Sequence, residues 1–144
     1  MITEEENLFI GYVTKVHNAT NFDIDIQLTD LKRDKYKYVY KSYYTAIDPD
    51  DEHVNPKRLY SYPCRVEGVS MRRNTFGRRT SESTYEIKQL FFLFNNWVLC
   101  SVGEVDYYNR ILVKIYDPIT KEPIMDYHYK KYKDIFEPYS RVSA

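Results

Sequence analysis

The stretch that most constrains this chain is residues 21–28, where Phe22, Ile24, Ile26 and Leu28 alternate with Asp23, Asp25 and Gln27. A period of two sends successive side chains to opposite faces, so the segment predicts a strand with an apolar inner face and its aspartates toward solvent. The alternation returns in aromatic form over residues 35–47, where Tyr36, Tyr38 and Tyr40 interleave with Lys35, Lys37, Val39 and Lys41. Apolar residues laid out in this way must close a sheet over a core. The 16 tyrosines, against only 4 glycines, point in the same direction, because tyrosine suits strands and half-wet surfaces.

The other segments fill in an order of elements. Residues 8–16 and 59–69 read as strands, the second confined to an edge or a strand start by Pro63 and allowed to bend at Gly68. Residues 48–52 (Asp-Pro-Asp-Asp-Glu) form an acidic surface loop. Ser83 and Glu86 have capping-box spacing and predict a helix over residues 84–95, with Ile87, Leu90, Phe91 and Phe94 on its inner face. Strands are predicted at 97–102 and 111–116, and a short helix within 121–132. One domain of 144 residues results, with an acidic leader (1–7), a tyrosine-rich β insertion (30–57), a basic loop (70–83) and a divergent tail (117–144). Strands, then a helix, then a further pair of strands give an α+β, mainly β, fold: a five-stranded Greek-key OB-like barrel with one packed helix.

Composition excludes several classes of function. Lys plus Arg is 21 and Asp plus Glu is 21, so no global positive field recruits a polyanion and any such partner needs a local patch. Cys64 and Cys100 sit in apolar runs without metal-ligand spacing and read as reduced, buried thiols, while His17, His53 and His128 are scattered. No cofactor is expected. The leader begins Met-Ile-Thr-Glu-Glu-Glu, acidic where a signal peptide is basic, and no apolar run reaches the ~18 residues of a membrane span, so an intracellular location without membrane contact is expected. Glycine-rich phosphate loops and nucleophile elbows are absent from the sequence.

Three segments carry a family resemblance. Tyr62-Pro63-Cys64-Arg65-Val66-Glu67-Gly68-Val69, the helix ending in Asn95-Asn96-Trp97-Val98, and Asp106-Tyr107-Tyr108-Asn109-Arg110-Ile111-Leu112 together resemble the staphylococcal-nuclease-like (thermonuclease) family, in the expanded form found in large DNA viruses. The resemblance runs from about Leu8 to Tyr116. It implies that Arg65 and Arg110 match the two arginines that bind phosphate and stabilise its developing charge. It also implies that the acids are gone: the two positions that would hold Ca²⁺ are Thr20 and Ser70, and the position of the catalytic glutamate is Arg73. Hydroxyls lack the negative charge a divalent cation requires, and an arginine cannot take a proton from water. The resemblance therefore implies a catalytically inactive barrel that binds nucleic acid or another protein. The alternative is a divergent phosphodiesterase, with Ca²⁺ as its cofactor and Arg65 and Arg110 at the phosphate.

Two surfaces are candidates for such binding. Arg72, Arg73, Arg78 and Arg79, with Phe76 among them and no acid within the run, could neutralise several phosphates while Phe76 stacks on a base; equally, they could form a solvated loop or meet an acidic partner. Tyr36, Tyr38, Tyr40, Tyr43 and Tyr44, among their lysines, form either a base-stacking platform or an exposed ribbon for protein contact. For Arg65 and Arg110, ion pairing with Glu67 or Asp106 is the bland reading.

Overall fold

The computed structural model describes residues 7–46, 57–72 and 77–139. Its elements are β1 (Phe9–Asn18), β2 (Asn21–Ile26), α1 (Asp30–Lys35), β3 (Ser42–Ala46), β4 (Lys57–Val66), β5 (Val69–Met71), α2 (Arg78–Leu93), β6 (Trp97–Val105), β7 (Ile111–Tyr116), α3 (Asp126–Lys131) and β8 (Phe136–Pro138).

Five strands close into a ring. β1 pairs with β2 and β2 with β4, both antiparallel; β4 runs parallel to β7; β7 and β6 are antiparallel, and β6 returns to β1. This is a closed, mixed, OB-like barrel, α+β and mainly β, with β3 added along β4 and a separate two-stranded ribbon of β5 and β8. The alternating residues of β2 do what their period requires: Phe22, Ile24 and Ile26 turn inward against Val13, Val98, Cys100, Ile111 and Val113. α2 plugs the barrel with Ile87 and Phe91, the Phe91 ring meeting Phe22 edge-on at 5.0 Å. Gly11 lies where strands crowd, since a Cβ there would stand 2.7 Å from Ile24 Cγ2 and 3.2 Å from Cys100 Sγ. Cys64 and Cys100 are free and buried, and burial pushes both thiols up, Cys100 to about 12.

Several expectations are corrected. The segment expected to be the tyrosine strand opens instead with α1, capped by Thr29 Oγ1, which accepts from the Lys32 N–H; a turn follows, and the strand is confined to β3. Val39 points into the core, so an alternating strand through 35–41 would have exposed it. The loop expected over 70–83 is strand β5 at its start and helix α2 from Arg78 onward. Ser83 is therefore not a cap but a buried mid-helix residue, and the helix starts at Gly77, whose φ of 93° a side-chain-bearing residue rarely adopts. Pro63 stands inside β4 opposite Asp23 rather than at a strand start; the β7 ladder begins only at Cys64, so the missing N–H removes no bond on that flank. Asp23 is 5% exposed rather than solvated, because His17 of β1 lies across it at 3.0 Å. The tail is part of the core, contributing Met125, Tyr132, Ile135 and Phe136.

Candidate nucleic-acid interface

The two arginines that the resemblance singles out both neighbour Asn21. Arg65 is opposite Asn21 in the β2–β4 register, and the Arg110 guanidinium donates to Asn21 Oδ1. The Arg110 guanidinium is engaged on all three nitrogens, whereas that of Arg65 lines a groove of about 430 Å³ with Tyr108 and Tyr139. Arg110 Nε donates to Asp106 Oδ2 at 2.9 Å, its plane lying over the Tyr108 ring. Arg65 donates to the Val69 carbonyl at 3.3 Å and covers the Tyr139 ring at 5.2 Å. For Arg110 the expected Asp106 pair is present; Arg65 instead takes a carbonyl and a ring.

The positions where the resemblance puts metal ligands do not fit Ca²⁺. Thr20 is buried, its hydroxyl donating to Asn18 Oδ1 at 2.9 Å and accepting from Asn21 Nδ2 at 3.2 Å. Ser70 is in β5, in register with Glu137. Asp106, the carboxylate at Arg110, is occupied by that guanidinium and by the backbone N–H groups of Tyr108 and Arg110. Among the described residues no group of three or more His, Cys, Asp or Glu side chains could hold a metal ion. Arg73 and Phe76 lie outside the described residues.

The arginine run loses its isolation in three dimensions. Arg72 reaches Glu137 at 3.3 Å and the Lys133 carbonyl at 3.1 Å. Arg79 forms a fork on Asp134, Nε to Oδ2 at 2.9 Å and Nη2 to Oδ1 at 3.1 Å, and stacks on Tyr132 at 4.2 Å. That fork holds the Asp134 carboxyl below its ordinary range. Arg78, 94% exposed, is 3.7 Å from Glu82. The partner acids are thus Glu82, one helical turn on in α2, and Asp134 and Glu137 of the chain beyond α3. Beneath them, Ser83 Oγ and His128 Nε2 are 2.7 Å apart, and His128 Nδ1 is 4.0 Å from Glu86. The set looks like a nucleophile, base and orienting acid, yet Ser83 is 1% exposed and in mid-helix. No substrate atom can reach it, so the set ties α3 to α2. Burial lowers His128 to about 4, keeping it neutral.

The tyrosine set divides. Tyr36 is 1% exposed, donates its hydroxyl to the Gly103 carbonyl at 2.7 Å and is pushed up to about 12 by burial, so it is a core residue and not a stacking surface. Tyr38, Tyr40 and Tyr43 are exposed. Of Tyr44 the structure describes only the backbone, in β3. Beyond the last β2–β4 pair, Ile24 with Tyr62, the strands part and leave a groove of about 380 Å³ edged by Arg33, Lys41 and Tyr60. Tyr43 and Tyr60 meet edge-on across this rim at 4.8 Å, and the Lys41 ammonium sits 5.2 Å from the Tyr62 ring. Tyr107 and Tyr108, both exposed, join the same end of the barrel through Asn109 Nδ2, which donates to the Tyr38 carbonyl at 3.1 Å. Sequence reasoning did not single out Tyr60, Tyr107, Tyr108 or Arg33 for binding. Only strand pairing brings Tyr60 to Tyr43, and only the Asn109 bond brings the Tyr107–Tyr108 turn to Tyr38, although the Asp106-Tyr-Tyr-Asn turn carried a signal in its Asp and Asn.

Comparison of the chain with protein-family models, with curated proteins and with solved structures finds no match. Among the described residues no helix is long and apolar enough to cross a membrane.

Proposed function

We propose that this barrel is a non-catalytic, intracellular binding module that takes single-stranded nucleic acid at its tyrosine-rich end. The observation that carries this reading is the groove at the parting of two barrel strands, edged by Tyr60, Arg33 and Lys41, with exposed Tyr43 against Tyr60 and exposed Tyr38 and Tyr40 in the preceding segment. Single strands bind where bases find ring faces and phosphates find cations, and OB-like barrels offer both on adjacent strands and loops. Exposed rings flanked by lysines satisfy the first need without a global positive charge. The reading as a non-enzyme is supported by the hydroxyls at Thr20 and Ser70 and by the engagement of Asp106 with Arg110.

The test is fluorescence anisotropy with labelled oligo(dT) and oligo(U) across ionic strength. Binding should weaken with salt at a log–log slope of about −0.7 for each phosphate contacted. Undetectable binding at low salt would overturn the proposal. So would Ca²⁺-dependent cleavage of the oligonucleotide that is lost in Arg110→Ala, because the site would then be a phosphodiesterase.

A further inference from the structure

β5, β8 and α3 enclose another groove, of about 500 Å³ and predominantly apolar. Val69 and Pro138, backed by the buried Phe136, form its floor together with Tyr129, whose hydroxyl donates to the Ala19 carbonyl at 2.7 Å and so leaves the ring to serve as carbon surface. Four charged side chains edge it. Arg72 and Glu137 cancel each other at 3.3 Å, leaving the exposed ammonium groups of Lys130 and Lys133, which have no ion-pair partner among the described residues. The groove therefore presents carbon below and two uncompensated positive charges above.

We propose that this groove docks an acidic, hydrophobic peptide segment of a partner protein, with an apolar side chain on Val69 and Pro138 and flanking carboxylates at Lys130 and Lys133. Charge complementarity selects the sign of the occupant, and the carbon floor selects a peptide over a polynucleotide. Phosphates are best held by guanidinium forks, and the Arg72 guanidinium is already engaged by the Lys133 carbonyl and Glu137.

The probe is a fluorescein-labelled Glu-Phe-Glu-Leu-Glu peptide titrated with the full chain. It should bind in a salt-sensitive way, weaken about tenfold or more in the Lys130→Glu, Lys133→Glu double variant, and be unaffected by Tyr43→Ala with Tyr60→Ala. Both lysines are exposed, so the double variant should keep the wild-type circular dichroism spectrum. As a check independent of the protein's folding, replacing the peptide's Phe with Ser should abolish binding. Three results would overturn the proposal: a Kd weaker than about 1 mM for the acidic peptide, equal binding by the double variant, or displacement of the peptide by oligo(dT) in a manner that requires Lys130 and Lys133. The last would give the groove to nucleic acid.

Discussion

Two regions of this protein look alike in sequence and differ in space. Both the arginine run of residues 72–79 and the tyrosine–lysine run of residues 35–44 interleave cations with aromatic residues, and each suggests a nucleic-acid surface. In the fold, Arg72 and Arg79 meet Glu137 and Asp134, and the Tyr132 ring lies under Arg79, so that region is a seam joining α2 to the tail. By contrast Tyr38, Tyr40 and Tyr43 stay exposed among the described residues. Local charge counts describe the chain; compensation is decided by segments distant in sequence, here more than fifty positions away for Arg79 and Asp134.

If the arginine side is structural, removing its packing should have the largest effect of any change considered. Phe91 is fully buried and holds α2 against Phe22, so Phe91→Ala should cost about 3–5 kcal/mol in urea unfolding. A loss below ~1 kcal/mol would mean that α2 is not anchored by that ring.

Next comes pH. His128 is held near 4 in the folded state, against 6.5 ordinarily. Its depressed value means that the unfolded chain binds the extra proton. The stability it contributes is thus complete above about 6.5 and is lost as pH falls toward about 4. The amount is on the order of 2–3 kcal/mol. Urea midpoints measured between pH 7 and 4.5 should fall, and His128→Gln, which can still bond to Ser83, should flatten that part of the decline. An equal decline in the variant would move the effect to other groups.

On the tyrosine side, Tyr43→Ala with Tyr60→Ala should leave the unfolding midpoint close to wild type and weaken oligonucleotide binding by roughly 1–3 kcal/mol for each base that loses its ring. A loss of stability without a loss of affinity would reverse the assignment of the two regions.

How much of this was legible beforehand follows from which contacts are local. The period of β2 gave the inward face of the barrel, and the apolar alternation of residues 111–116 located β7, because both depend on neighbours one or two residues apart. The start of α2 did not follow the capping signal at Ser83. That serine is drawn inward by His128, a partner 45 positions away. Tyr36 misled for the same reason: its ring is buried by Tyr62 and its hydroxyl satisfied by Gly103, neither of which is near it in sequence. At the candidate site the lysines and Tyr43 could be read directly, but Tyr60, Tyr107 and Tyr108 required the strand pairing and the Asn109 link.

The smallest expected effect is the most diagnostic for the comparison. Arg79 is half-exposed, and exposed ion pairs contribute little because water and salt screen them. Arg79→Ala should therefore produce only a slight fall in Tm, reduced further at high salt, from losing the Asp134 fork and the stack on Tyr132. Its oligonucleotide affinity and salt slope should match wild type. A phosphate-binding arginine would behave in the opposite way, lowering the slope by nearly one contact while leaving Tm unchanged. Measuring both on the same variant separates a seam from a binding surface, since Arg79 cannot hold Asp134 in its fork and offer that same fork to a phosphate.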